Sequence, residues 1–276
     1  MRPILEGKKV IITGGVTGCG RATAKACAEW GASVVTMSTA KPTDQRAVDT
    51  IADCEAVKPD DVDAVFKHIT LDVSDQAACQ VAFDAAVEFM GGLDAICLSH
   101  AVTPKCPTLE IHEDVMIKSF KVNTLGMIYM DICAYNYFAP RGGGAIVNFG
   151  SIAGIEGIDN LPAYSVAKGG INSISRIMAR EWGGKNVRVN QLLPAVRSEA
   201  SLNDEKELLE TGGEAALKQY RDWINNSIPL DSPHKTATRQ GDVIEAGRMA
   251  AFLCSDYARY VHGQLICVDG GMLFTR

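Results

Sequence analysis

Two side chains in this sequence are spaced for proton transfer: Tyr164 and Lys168, four residues apart in Tyr-Ser-Val-Ala-Lys. On a helix, positions i and i+4 project from one face. A phenol at its ordinary pKa of ~10 is a poor base near neutrality, and an ammonium one turn away favours the phenolate. The plainer alternative is an amphipathic helix carrying both groups on its surface. Ser151 follows the apolar run Ala145–Phe149 and Gly150, at the carboxyl end of an expected strand, where ligands bind in open α/β sheets. Its hydroxyl could hydrogen-bond a reacting oxygen, or could simply cap a helix.

A second group of residues points to a phosphate. Thr13-Gly14-Gly15-Val16-Thr17-Gly18-Cys19-Gly20-Arg21 lies between an apolar run and an Ala-rich helical stretch. Glycines at 14, 18 and 20 permit a tight turn, close approach of backbone to a diphosphate, and tight packing of helix on sheet. Unpaired N–H groups and the positive end of the dipole at the helix start favour an anion. A P-loop is excluded, because Gly15-xxxx-Gly20 is followed by Arg21-Ala22 instead of Lys and Ser/Thr.

These groups need a scaffold, and the hydrophobic pattern describes one. Short β-branched runs predict strands at Val10–Thr13, Ser33–Met37, Phe66–Leu71, Ala95–Ser99, Ala145–Phe149, Arg188–Leu192 and Gln264–Val268. Between them, helical periodicity predicts helices at Arg21–Trp30, Asp75–Met90, Glu113–Phe138, Ala163–Trp182 and Val243–Ser255. Continuous apolar strands are those of a parallel sheet covered on both faces. The expected fold is therefore α/β: a single-domain, Rossmann-like, doubly wound parallel sheet of about seven strands with helices on both faces, spanning 1–276. From Ala195 to Gly241 no strand is expected, only the helical stretch Leu202–Ile228 and a Pro/Thr-rich tail. A segment of that kind reads as a lid over a site, at about 195–241.

Composition narrows the function. The 276 residues carry 27 Lys+Arg against 33 Asp+Glu, a net charge of −6, which argues against a nucleic-acid or anionic-membrane partner. No apolar run reaches the ~18 residues of a spanning helix, and the amino terminus shows no signal-peptide stretch, so a cytoplasmic protein is expected. The nine cysteines include no C-x-x-C pair, which fits small buried thiols and no metal site.

The residues taken together resemble the short-chain dehydrogenase/reductase family over nearly the whole chain. The glycine turn has the family's T-G-x-x-x-G-x-G spacing. Leu71-Asp72-Val73 is similar to its adenine-contacting segment, Asn123 in Val-Asn-Thr-Leu-Gly to its catalytic asparagine, and Val268-Asp269-Gly270-Gly271 to its closing segment. The resemblance implies Asn123, Ser151, Tyr164 and Lys168 as the catalytic set, in an enzyme that moves a hydride between a nicotinamide and a secondary alcohol or ketone. Tyr164 would exchange the hydroxyl proton and Ser151 would hold the reacting oxygen. Lys168 would lower the tyrosine pKa and hold the nicotinamide ribose, and Asn123 would position a water linking Lys168 to solvent. Cofactor contacts are expected from Gly14, Thr17, Gly18, Cys19, Gly20, Ser38, Thr39, Lys41, Asp72, Val73, Ser99, Ala101, Asn123, Tyr164, Lys168, Pro194 and Val196. The family also implies a homo-oligomer, a tetramer or dimer, through Glu113–Phe138 and Ala163–Trp182.

Four positions depart from the family pattern. Ser99-His100-Ala101-Val102 stands where Asn-Asn-Ala-Gly is common, and His100 is expected to be a satisfied, partly buried histidine. Cys19 sits in the glycine turn, where a thiol at a helix start is either acidified or simply packed. Pro194-Ala195 replaces Pro-Gly and Glu199 replaces a threonine, with Ser198 a substitute. The end of the second strand, Thr36-Met37-Ser38-Thr39-Ala40-Lys41, has no acid to select NAD, so NADP is expected, with Lys41 near the 2′-phosphate and Arg21 and Arg46 as helpers. Apolar lid residues Leu208, Leu209, Leu217, Tyr220, Trp223 and Ile228, with Ile155–Leu161, suggest a bulky ring ketone, steroid- or flavonoid-like. A 3-oxoacyl-thioester reductase is the alternative, and a non-catalytic nucleotide sensor is a third reading that the retained Ser, Tyr and Lys disfavour.

Overall fold

The computed structural model describes residues 3–232, 234 and 236–273. Seven strands form one parallel sheet: β1 (Lys9–Thr13), β2 (Ser33–Ser38), β3 (Phe66–Thr70), β4 (Ala95–Leu98), β5 (Gly144–Phe149), β6 (Val187–Pro194) and, after the short pair β7 (Val196–Arg197) and β8 (Gly241–Asp242), β9 (Leu265–Val268). Their order is β3-β2-β1-β4-β5-β6-β9. The chain winds outward from β1 to β3, then returns to lay β4 beside β1, with Val10 opposite Ala95. That reversal opens a crevice at the carboxyl ends of β1 and β4, the switch point where such sheets bind ligands.

The strand side chains explain the two helical layers. Along β1, Val10 and Ile12 join one apolar core with residues of α1 (Gly18–Glu29) and α8 (Val243–Cys254). Ile11, between them, joins the other core with α3 (Gln76–Met90), α5 (Gly126–Phe138) and α6 (Pro162–Trp182). Successive strand residues face opposite sides, so a continuous apolar run feeds both layers.

One helix goes beyond the predicted set, and two expectations need correction. The β2–β3 connection is an ordinary crossover helix, α2 (Gln45–Val57), capped by the Asp44 side chain on Arg46 N–H. Its inward residues are Ala47, Thr50 and Cys54, small or polar, so its apolar stripe is faint. The predicted helix Glu113–Phe138 divides into α4 (Glu113–Phe120), a π-helical turn (Lys121–Leu125) and α5. The stretch expected to lack strands contains β7 and β8, which pair in parallel at Val196–Gly241 and Arg197–Asp242. Between them α7 (Glu199–Ser227) runs through a kink at Gly213, whose φ is 68°. Pro233 and Lys235, in the tail of the expected lid, lie outside the described residues.

Candidate active site

The carboxyl ends of β1, β2, β4, β5 and β6 open into a cleft of about 740 Å³. Its floor begins with the turn from β1 into α1. A Cβ on Gly14 would lie 2.7 Å from His100 Cα, and one on Gly20 would lie 2.1 Å from the Gly14 carbonyl oxygen. Gly20 thus packs against the turn and is outside the cleft lining. Gly18, at φ 48°, faces open space apart from Ser198. Thr17 N-caps α1 without a side-chain hydrogen bond, and no acid stands in the first turn. The helix therefore presents its first N–H groups to the cleft, as a diphosphate requires.

The proton-transfer residues converge at the other end of the cleft. Ser151 stands two residues beyond β5: its Oγ caps the short turn Ile152–Gly154 by accepting from Ala153 N–H at 3.1 Å, as the capping reading expects, and it hydrogen-bonds the Tyr164 phenol. Tyr164 stands in the first turn of α6, with Lys168 one turn on and its Nζ 5.8 Å from the ring centre. Burial brings Lys168 down to about 8, and its Nζ donates to Phe149 O at 2.6 Å. Burial raises the Tyr164 phenol above the ordinary range, and the Ser151 hydrogen bond only partly offsets this. Lys168, expected to depress the Tyr164 pKa, is not among the groups that set this shift.

Asn123, in the π-turn, is fully buried and does not line the cleft. Its Oδ1 accepts from Val102 N–H at 2.8 Å, and its Nδ2 donates to Val102 O at 2.8 Å and Ser119 Oγ at 3.0 Å. The side chain is thus engaged with the loop after β4 and with Ser119.

Of the residues expected to contact the cofactor, Thr17, Gly18, Cys19, Ser38, Thr39, Asp72, Val73, Ser99, Ala101, Pro194 and Val196 line the cleft. Lys41 does not: it is exposed and outside the lining, in which Arg46 stands instead. The Arg46 guanidinium grips Asp44 at 2.7 and 2.9 Å, which holds the Asp44 carboxyl down to about 2. Asp72 Oδ1 accepts from Ser74 N–H and Oγ, fixing the turn after β3. Thr103, Lys118, Val122, Ala200 and Asn203 complete the wall without a signal in the sequence.

The departures resolve physically. Burial pushes the Cys19 thiol up to about 12, so the packed reading holds and the acidified one does not. His100 is buried and neutral, brought down to about 3 first by burial and then by Lys168. Its Nδ1 shares a 2.6 Å hydrogen bond with Thr13 Oγ1, whereas Nε2 has no hydrogen bond of normal geometry, so the histidine is half satisfied. Ser198 caps α7 through a reciprocal pair with Ser201. Of the apolar lid residues, Leu217 and Ile228 are buried in the fold and Trp223 faces solvent; none lines the cleft, nor does Ile155–Leu161. Among the described residues there is no His/Cys/Asp/Glu cluster fit for a metal, and no helix is long and apolar enough to cross a membrane.

The chain is similar to known proteins along nearly its whole length. Residues 14–273 match a short-chain dehydrogenase family model described as enoyl-(acyl carrier protein) reductase. The chain is 30% identical over 270 residues to the L-2,3-butanediol dehydrogenase of Corynebacterium glutamicum, covering 97% of this chain and 99% of that one. It is 29% identical over 269 residues to a versicolorin reductase of Emericella nidulans, covering 97% and 96%. Among solved structures, a carveol dehydrogenase from Mycobacterium avium in complex with NAD superimposes with a TM-score of 0.86 at 25% identity, covering 99% of this chain and all of that one (100%).

Proposed function

Because the chain belongs to the short-chain dehydrogenase/reductase family, we propose that it is a nicotinamide-dependent oxidoreductase interconverting a secondary alcohol and a ketone, with NADP preferred over NAD. The observation that carries this reading is the cluster of half-buried Ser151 and Tyr164 with buried Lys168, facing a diphosphate-ready helix terminus across one cleft. When bound, the dinucleotide supplies the hydride acceptor or donor. The protein's part is to hold and move a proton. Tyr164 Oη takes the proton of the substrate hydroxyl or returns it, and Ser151 Oγ holds the same oxygen as its charge develops. Lys168 keeps a cation under the phenol, and its depressed pKa suits proton exchange near neutrality.

The finer choices rest on the cleft wall. The end of β2 supplies Ser38, Thr39 and Ala40 without a carboxylate, and Arg46 rather than Lys41 is the cation for a 2′-phosphate, which must share it with Asp44. Ring specificity loses its support once the lid's apolar residues are seen to pack or to face water. Thr103, Ala200 and Asn203 favour a compact hydroxylated substrate, a class that the butanediol dehydrogenase name represents. The thioester alternative has little at the mouth to recommend it, since Arg46 and Lys105 are both engaged by carboxylates. We read 1–276 as one catalytic domain with α7 as its lid, and exposed Phe120, Ile132, Val166 and Ile177 support assembly through α4, α5 and α6. The test is a panel of diols, hydroxyketones and cyclic ketones with NADP(H) and NAD(H). Hydroxylated substrates with NADP are expected to lead, and Tyr164→Phe is expected to lose turnover by more than ~100-fold while still binding cofactor. Near-normal turnover in that variant would remove the tyrosine from the mechanism.

A further inference from the structure

We propose that Ser119 and Thr124 are positioning residues that set the catalytic tyrosine and lysine in register, an inference that rests on the oxidoreductase reading. Ser119 Oγ donates to Ala163 O at 3.0 Å, and Thr124 Oγ1 donates to Ala167 O at 3.0 Å. Ala163 and Ala167 immediately precede Tyr164 and Lys168. Each acid–base residue thus hangs from a peptide held by a hydroxyl of the neighbouring helix.

These hydrogen bonds are surplus to helix formation. In α6 the carbonyls of residues 163 and 167 already face the N–H groups four residues on, and a carbonyl's second lone pair needs no partner for the helix to form. Both hydroxyls are nevertheless buried, 0% and 3% exposed, and aimed at these two oxygens. What they add is placement. The start of α6 gains nothing from its N-cap, because Leu161 there makes no side-chain hydrogen bond.

Spacing makes the pair specific. The acceptors are four residues apart on a regular helix, whereas the donors are five apart, on a segment whose π-turn covers Lys121–Leu125. An i→i+5 turn accommodates one extra residue, so positions five apart come to one face and meet acceptors one α-turn apart. Between the two donors lies Asn123, whose Nδ2 donates to Ser119 Oγ and whose amide clasps Val102 of the cleft wall. A continuous path of hydrogen bonds thus joins Val102 to the peptide before Tyr164.

The test uses Thr124→Val, which keeps shape and removes the hydroxyl, Ser119→Ala, and Thr124→Ser as the hydroxyl-retaining control. Three readouts are taken: the pH profile of kcat, the ionisation of Tyr164 followed as the phenolate absorbance lost in a Tyr164→Phe background, and NADPH affinity by fluorescence. Removal of either hydroxyl is expected to lower kcat ~10-fold or more and displace the Tyr164 ionisation, with KM and NADPH affinity changed less than ~2-fold and Thr124→Ser near wild type. Unchanged kcat and ionisation in both hydroxyl-free variants would overturn the proposal, as would equal damage from Thr124→Ser. Failure of both to fold would also overturn it, by showing that the bonds carry stability. A wild-type protein inert to every alcohol and ketone would defeat the oxidoreductase reading instead, and a displaced phenol titration would still stand for the positioning.

Discussion

The two walls of the cleft are held by different forces. The floor, from the glycine turn across β4 and β5 to α6, rests on two apolar cores and on buried hydrogen bonds between neutral groups. The roof, α7, rests largely on charge. Buried Glu205 is gripped by Arg197 at 3.1 Å and by Arg221 at 2.6 Å, which ties both halves of the kinked helix to β7. On the far side Lys105, in the loop after β4, reaches Asp204 at 2.8 Å and Glu207 at 2.6 Å. Only Glu205, Leu217 and Ile224 of this long helix are buried. A chemistry-bearing wall needs fixed distances, which close packing supplies. A wall that must let ligands pass is better held by contacts that water and salt can replace.

Glycine substitution breaks the comparison most sharply. In the floor, Gly20→Ala drives a Cβ to 2.1 Å from a backbone oxygen with no flexible neighbour to yield. It is expected to cost ~1–3 kcal/mol and to abolish measurable NADPH binding. In the roof, Gly213→Ala meets nothing within 4 Å and pays only for its φ of 68°. That cost is ~1–3 kcal/mol, local to α7, with cofactor affinity intact. Denaturant melts and fluorescence titrations of both variants decide it. Equal effects would mean the two walls are not mechanically distinct.

One group in the floor sharpens the contrast by violating it. Asp131, on α5, is fully buried with only Asn148 Nδ2 donating to its Oδ2 at 3.1 Å, while Oδ1 is unpaired. Burial holds its carboxyl well above the usual range. For an acid raised in the folded state, the native protein retains a proton that the unfolded chain has lost. Stability from this site is therefore complete below the unfolded pKa of ~3.9 and falls as pH rises through the window up to the native value. Asp131→Asn is expected to raise Tm by a few degrees at pH 8, the gain vanishing near pH 4. A gain independent of pH would show that packing, not ionisation, is the cause.

How legible each wall was follows from the same physics. The strands, the glycine turn and the Ser–Tyr–Lys set were readable because continuous apolar runs and fixed spacings leave few alternatives. Asn123 was found by its motif, but its engagement with Val102 was not, since a loop 21 residues away supplies the partner. The π-turn escaped because one inserted residue barely disturbs a helical period, and α2 escaped because Ala47, Thr50 and Cys54 make no apolar stripe. Lys41 and Arg46 were both visible as cations; only the course of the chain into α2 decides which one faces the cleft. The lid was legible as a helix, but the residues by which it meets the cleft, Ser198 to Asn203, are not the apolar ones that the sequence singled out. Apolar residues at helical spacing show that a face is covered, not what covers it.

The smallest effect tests the roof directly. Lys105 and its two carboxylates are partly exposed, at 43% for Lys105, 43% for Asp204 and 60% for Glu207, so each contact is screened and worth at most ~1 kcal/mol. Yet the three join the β4 loop to the first turns of α7, whose Ser198, Glu199, Ala200 and Asn203 line the cleft. Lys105→Met keeps the stem's packing and removes the charge. Tm is expected to stay within a degree or two, while the rate of NADPH dissociation in stopped flow rises ~2- to 5-fold at low salt. In the wild-type protein the same rise is expected on moving from low to high ionic strength, and the variant is expected to lose that salt dependence. A wild-type dissociation rate indifferent to salt would mean that the roof is held, like the floor, by packing, and the distinction between the walls would fall.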